Sequence, residues 1–171
     1  FNVVGGINRT MSPDTIVIPE QIIDYTSNRE HTFFDGNHDK LFEQGLPSVE
    51  HIDFTHPYSR ELRKKLIRFF YEHDIDFVGH GVYGCTQGPR LESAAEIERY
   101  RRDGCDMVGM TGMPEAALAK ELGIDYVSVA IVVNWAAGVS EEMLSMIEIM
   151  NTVKKNMKSI KTQLPNLLKF L

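Results

Sequence analysis

The stretch from Phe77 to Asn134 constrains the fold more than any other part of the chain, because short apolar runs alternate there with charged segments. Phe77–Thr86 reads as a strand that breaks at Gly88-Pro89, and a charged helix begins near Glu92. Met107–Met110 reads as a short strand, Thr111–Leu122 as a Pro-started helix closed by Gly123, and Tyr126–Val133 as a β-branched strand stopping at Asn134. Strand, helix, strand, helix, strand predicts parallel pairing in a sheet covered on both faces. Ligands of such sheets collect beyond the carboxyl ends of the strands. Glu92, Met110, Thr111 and Asn134 stand just past those predicted ends and are the first candidates for a site.

The flanks extend the same architecture. Thr15–Ile18 reads as a short strand and Ile22–Tyr25 as a second apolar patch. Thr26–Pro47 is polar and turn-rich, a long excursion of the kind that serves function or an interface. Ser59 reads as the N-cap of an amphipathic helix with Leu62, Leu66, Phe69 and Phe70 on its apolar face, ending near Asp74. From Ser140, with Glu141 and Glu142 in the first turn, Met143, Ile147, Met150, Val153, Met157, Ile160 and Leu164 trace one face of a terminal helix interrupted at Pro165.

At 171 residues the chain is expected to form one domain, and its net charge of −6 argues against nucleic acid and anionic membranes as partners. Cys85 and Cys105 lack a CxxC spacing, as expected of reduced thiols in a cytoplasmic protein. No apolar run approaches the roughly 18 residues of a membrane span. The six histidines show no HExxH or paired-CxxC spacing, so no metal is expected. Gly5-Gly6 is neither GxGxxG nor a P-loop, and no GxSxG elbow appears. Taken singly, each candidate also has a plain structural reading: Asn134 as a turn residue, Glu92 as a first-turn carboxylate, Met110 as core filler.

Their conjunction is more specific. GCTQGPRLESAAEIERYRRDGCDMVGMTGMPEAALAKELGI resembles the signature of the trimeric purine nucleoside phosphorylase and methylthioadenosine phosphorylase family, and NVVGGIN resembles its strand-end NAAGG segment. The likeness continues through IVIPEQIIDYT, HIDFTHPY and AIVVN; DYT, REHT, HIDF and YxCTQGPRLE are similar to bacterial S-methyl-5'-thioinosine phosphorylases. The resemblance implies a three-layer α/β/α fold with a mixed central sheet, residues 1–171 forming the carboxy-terminal two-thirds of one nucleoside phosphorylase domain, and a homotrimer. Family members carry further chain before this point, with a Gly-rich phosphate loop and an Arg-His pair that binds phosphate, so amino-terminal strands are expected to be missing from this sequence.

The resemblance also implies roles. Val3 (through its backbone) and Thr111 match phosphate-binding positions, Met110 packs on the ribose, and Leu91 replaces a Phe beside the base. Glu92 and Asn134 match the base-binding pair of the 6-oxopurine enzymes, and Ala136 stands where adenine-specific relatives place a second Asp. Val133 replaces a Thr that often helps bind phosphate. His51 matches a residue lent across the trimer interface, and Met146 and Met150 fall at the methylthio pocket. No cofactor is implied, with inorganic phosphate as co-substrate.

Phosphorolysis leaves negative charge on the departing base, and preorganised donors stabilise such charge. The Asn134 amide can donate to N7 and O6 of a 6-oxopurine while the Glu92 carboxylate accepts from N1–H. Adenine reverses both demands, and a buried mismatch of that kind costs several-fold to many-fold in affinity. The reading is therefore phosphorolysis of S-methyl-5'-thioinosine to hypoxanthine and 5-(methylthio)ribose 1-phosphate. Its alternatives are a general 6-oxopurine nucleoside phosphorylase, a methylthioadenosine phosphorylase, a nucleoside hydrolase, or a non-catalytic purine-binding chain.

Overall fold

The computed structural model describes residues 1–34, 49–141 and 145–171. Along them run β1 (Asn2–Gly6), β2 (Ile16–Val17), β3 (Gln21–Asp24), α1 (Arg60–Glu72), β4 (Val82–Cys85), α2 (Ala94–Arg102), β5 (Met107–Gly109), α3 (Glu115–Glu121), β6 (Ala130–Trp135) and α4 (Met146–Phe170). The strands make one six-stranded sheet in the order β2-β6-β1-β5-β4-β3.

The sheet is mixed, as expected, but not by the predicted pairing. β4 pairs parallel with β5, whereas β5 and β6 do not touch: β1 lies between them, parallel to β6 and antiparallel to β5. The alternation rule fails here because a strand from the start of the chain inserts between two strands that are consecutive in its second half.

Side-chain alternation assigns the faces. Tyr83, Cys85, Met107, Val4, Ala130 and Val132 point to one side and pack with Ala116 of α3. On the other side Val82 and Val108 meet Ile97 and Tyr100 of α2, while Ile131 and Val133 meet Ile160, Val153 and Met157 of α4. α1 buries Leu66, Phe69 and Phe70 against Ile18, Val129 and Leu167, the apolar face its sequence period called for. The result is α/β/α layering, with α2 and α4 on the same face but over different strands.

Several predicted boundaries move, each for a local reason. Gly81, at φ +139, bends the chain, so the first run is strand only over Val82–Cys85. The β-branched run becomes strand from Ala130 and continues through Asn134 to Trp135, because Gly5 and Gly6 supply it with partners. Residues 111–114 are turn, and α3 starts only at Glu115. α4 is capped not by Ser140 but by Ser145, whose hydroxyl accepts from the Glu148 N–H, and it runs through Pro165 without a break in its assignment. Glu142 and Met143 lie outside the described residues, as do residues 35–48 of the predicted excursion.

β1 is packed closely enough that its two glycines are not equivalent. A methyl group on Gly6 would overlap the Met11 carbonyl oxygen, a backbone atom that cannot rotate away. One on Gly5 would meet Ala136 and the Asn134 amide at 3.4 Å, ordinary contact distance. Gly6→Ala is therefore expected to cost about 1–3 kcal/mol, the range for overpacking, and Gly5→Ala much less. Urea unfolding of the two variants checks this; equal stabilities would contradict the packing described.

Candidate active site

Between α2 and α4, above β1, the second face of the sheet is uncovered. A cavity of about 560 Å³ fills that gap. Its floor includes Val3, Val4 and Gly5 of β1; Leu91 and Glu92 stand before α2, Met110 and Thr111 follow β5, Asn134 and Ala136 come from β6 and its exit, and Met146 and Ile149 from the start of α4.

The topology accounts for the convergence. Because β5 and β6 run in opposite directions on either side of β1, their carboxyl ends arrive at the same short strand from opposite ends. Gly109 lies against the Val3 carbonyl, where an added Cβ would stand 3.2 Å away, and Asn134 pairs with Gly5 two residues further along. The register of β1 on β6 shifts at this point: Val4 pairs with Val132 but Gly5 with Asn134, leaving Val133 as an extra residue. Such a bulge re-aims the side chains that follow it.

Asn134 and Glu92 each have a hydrogen-bond partner at the cavity. The Asn134 amide nitrogen donates to the Trp135 carbonyl at 2.7 Å. A carbonyl can only accept, so the nitrogen side of the amide is fixed there, and its second N–H has no partner among the described residues. Glu92 is half-buried and precedes the helix, because Ser93 is the cap of α2 and Glu96, not Glu92, closes the capping box. Its Oε1 accepts from the Thr86 hydroxyl at 2.6 Å, and Thr86 is itself buried.

Met110 is held by a different device. Gly88 has φ +63, and any side chain there would collide with the Met110 sulfur. The Tyr83 hydroxyl, beneath Gly109, accepts from the Thr111 N–H at 3.3 Å. Burial pushes the Tyr83 phenol up to about 12 and the Cys85 thiol up to about 11, so both are neutral near pH 7 and Cys85 is no nucleophile. Among the described residues lining the cavity none is Lys, Arg or His, and its charged members are Glu92 and Glu115. No three His, Cys, Asp or Glu side chains among the described residues gather closely enough to hold a metal ion.

Of the residues singled out from the sequence, Glu92, Asn134, Leu91, Met110, Thr111, Val3, Ala136 and Met146 line this one cavity. Met150 is about half exposed and outside the lining, where Ile149 takes its place. His51 is exposed and does not line the cavity.

Two contributors were missed. Thr86 shares a face with Val82 and Gly84 by strand alternation, which puts it on the α2 side; that signal was present in the sequence. Arg29, in the polar loop after β3, stood in the REHT resemblance, but nothing in the sequence gave it a role. Its guanidinium donates to the carbonyls of Thr86 (3.2 Å), Gln87 (3.2 Å), Met110 (3.0 Å) and Met113, and to the Gln87 side chain at 3.3 Å. One side chain thus ties the loop leading to Glu92 to the loop carrying Met110 and Thr111.

Comparison with known proteins supplies the lineage. The sequence profile of the phosphorylase superfamily matches residues 1–169. The chain belongs to the phosphorylase superfamily. Among superfamily relatives, the probable S-methyl-5'-thioinosine phosphorylase of Pseudomonas syringae is 47% identical over 167 residues, 98% of this chain and 65% of that protein. The protein of the same description from Xylella fastidiosa is 52% identical over 154 residues, 90% of this chain and 59% of that one. The 6-oxopurine nucleoside phosphorylase of Pyrococcus furiosus is 45% identical over 160 residues, 92% of this chain and 58% of that one. The solved methylthioadenosine phosphorylase from Schistosoma mansoni in complex with adenine superposes with a TM-score of 0.89 at 25% identity, over 98% of this chain and 63% of that one. The chain thus spans less than two thirds of the length of these superfamily relatives.

Arg29→Ala would leave four backbone carbonyls without their shared donor, and hydrogen bonds to a charged group are worth about 1.5–3 kcal/mol each. The variant is expected to lose roughly 3 kcal/mol in urea unfolding. Arg29→Lys should recover little of it, since an ammonium cannot span the fork. Full recovery by lysine would show that charge alone, not the planar fork, holds the loops.

Proposed function

We propose that this chain carries the base- and sugar-binding part of an enzyme that phosphorolyses S-methyl-5'-thioinosine to hypoxanthine and 5-(methylthio)ribose 1-phosphate. The observation that carries the reading is that Glu92 and Asn134 face one cavity with complementary hydrogen-bonding character. Glu92, accepting from Thr86 through one oxygen, has the other to accept N1–H of a 6-oxopurine. Asn134, anchored on the Trp135 carbonyl, has one N–H left for N7 of the departing base, where negative charge develops. The names of the Pseudomonas and Xylella relatives agree with this assignment.

The rest of the cavity divides by chemistry. Thr111 and the backbone at Val3 form the phosphate end, Met110 and Leu91 pack on ribose and base, and Ala136 leaves no acceptor for a 6-amino group. Met146, with Ile149 beside it, offers the 5' substituent an apolar wall, worth about 1–3 kcal/mol for a methylthio group over a hydroxyl. Phosphate is the nucleophile, no cofactor takes part, and the countercharge for phosphate comes from groups outside this cavity lining. We assign Met150 to the rim and His51 to a neighbouring subunit's site in a homotrimer. We read the 171 residues as part of one nucleoside phosphorylase domain. We place the protein in the cytoplasm, in keeping with its two buried free thiols; among the described residues no helix is long and apolar enough to cross a membrane.

A second reading, a general 6-oxopurine nucleoside phosphorylase, is favoured by the partial exposure of Met146, which leaves the 5' wall open. Turnover of methylthioinosine, inosine and methylthioadenosine by the full-length protein, with and without phosphate, separates these. The expected order is methylthioinosine, then inosine, then methylthioadenosine, each requiring phosphate. Fastest turnover of methylthioadenosine would overturn the base assignment, and product without phosphate would mark a hydrolase.

Asn134→Asp places a carboxyl against the Trp135 carbonyl, where it needs a proton, and offers a 6-amino group an acceptor. The ratio of kcat/KM for 6-oxo over 6-amino substrates is expected to fall by at least tenfold, on the order of one buried hydrogen-bond mismatch. An unchanged ratio would contradict the role given to Asn134.

A further inference from the structure

The Glu92 carboxylate has a partner that none of the roles above includes. Thr86 follows β4 directly, is 5% exposed, and donates its hydroxyl to Glu92 Oε1 at 2.6 Å. Its backbone is fixed from two sides: the Thr86 N–H donates to the Gly109 carbonyl at 2.7 Å, and Arg29 Nη2 donates to the Thr86 carbonyl at 3.2 Å. The hydroxyl is therefore presented from a rigid point, on the side of the sheet that faces the cavity.

A threonine hydroxyl has one hydrogen, and two acceptors lie within its reach: Glu92 Oε1 at 2.6 Å and the Gly109 carbonyl at 3.3 Å. The carboxylate is nearer, and a hydrogen bond to an ionised acceptor is roughly twice as strong as one between neutral groups. The contact therefore occupies one oxygen of Glu92 and leaves the second oxygen of this cavity-lining side chain to accept from a ligand.

We propose that Thr86 is a positioning residue for base selection: through its hydrogen bond to Glu92 it sets the carboxylate to accept from the N1–H of a 6-oxopurine and against the N1 acceptor of a 6-aminopurine. The proposal rests on the phosphorylase reading above and deepens it. Glu92 touches the base; Thr86 acts only through Glu92. Valine is the informative replacement, since it keeps the branched shape and removes the hydroxyl, and serine restores the hydroxyl without the methyl group.

The test compares the full-length wild type with Thr86→Val and Thr86→Ser, measuring kcat and KM for an inosine-type and an adenosine-type nucleoside at saturating phosphate, with thermal unfolding alongside. In Thr86→Val, kcat/KM for the 6-oxo substrate is expected to drop about tenfold or more, the worth of one hydrogen bond to a charged group. The 6-amino substrate should lose much less, so that the selectivity ratio falls with it. Thr86→Ser should return the ratio to within about threefold of wild type, a loosened rotamer accounting for the rest. A folded Thr86→Val with an unchanged ratio, or with equal losses on both substrates, overturns the positioning role while leaving the phosphorylase reading in place. A Thr86→Val that does not fold leaves the decision to serine, whose ratio must then match wild type for the proposal to survive. A wild type that turns over neither nucleoside overturns the phosphorylase reading, and this proposal with it.

Discussion

The pairing of β1 with two neighbours of opposite direction is the constraint on which the rest depends. Parallel to β6 and antiparallel to β5, this five-residue strand brings the ends of two elements from the second half of the chain to within a few residues of each other. In an all-parallel sheet those ends would lie along one edge, as the rule for open α/β sheets supposes. Here they close on β1, and Asn2, Val3, Val4 and Gly5 of that strand line the cavity. Small residues at the centre are part of the same constraint. Gly6 yields to the Met11 carbonyl, Gly109 to the Tyr83 hydroxyl and the Val3 carbonyl, and Gly5 leaves space beside Asn134.

A cavity lined from three separate segments, at the ends of β4, β5 and β6, needs those segments held in register, and beside the apolar packing of Met113, Ala136 and Ala137 a few polar side chains do this. Arg29 is the chief of these, joining the segments after β4 and β5 through their carbonyls. Tyr83 reaches from the buried core to the Thr111 N–H, and Thr86 from a fixed backbone to Glu92. A loop carbonyl left without a donor costs about 1–3 kcal/mol when buried, so satisfying several with one guanidinium orders the loops at the expense of one side chain's freedom. The same bonds hold the cavity-lining side chain of Glu92 and the backbone at Thr111, so that on the proposed reading stability and selectivity would draw on the same contacts.

What the sequence disclosed follows from which interactions are local. The apolar period of Leu66, Phe69 and Phe70, the cap at Ser59, and the β-branched run to Val133 depend on neighbours in the chain, and the corresponding elements formed. The order of strands in the sheet depends on a long-range insertion that no local pattern encodes, and the predicted β5–β6 pairing failed for that reason. Asn134 and Glu92 were placed beside a cavity by motif, yet Asn134 turned out to be inside a strand, since its terminus depends on Gly5 and Gly6. Met150 illustrates a helix-phase error: with α4 starting at Met146 behind a Ser145 cap, Ile149 rather than Met150 turns inward. Arg29 lay in a polar loop without periodicity, where a single cation has no sequence signature of the carbonyls it will meet.

The two ends of the cavity are built from different physical terms, and these differ in how firmly they discriminate. On the proposed reading, selection at the base end would work by unpaired donors and acceptors: a base of the wrong pattern would leave a half-buried carboxylate or an anchored amide without a partner, and neither could turn away without losing the bond to Thr86 or Trp135. At the proposed 5' end, selection would work by apolar contact with Met146 and Ile149, where a changed substituent would lose some surface and strand nothing. A methionine side chain also adapts its shape to what it meets. On the proposed reading, the hydrogen-bonding pattern of the base is therefore the property such a site would read strictly, and the 5' substituent the one it would read by degree. On the proposed reading, substitutions on the first turn of α4 would retune the sugar end with little effect on Glu92 or Asn134, because the far end of that helix is anchored through Leu167 to Ile18, Phe69 and Phe70, which do not line the cavity.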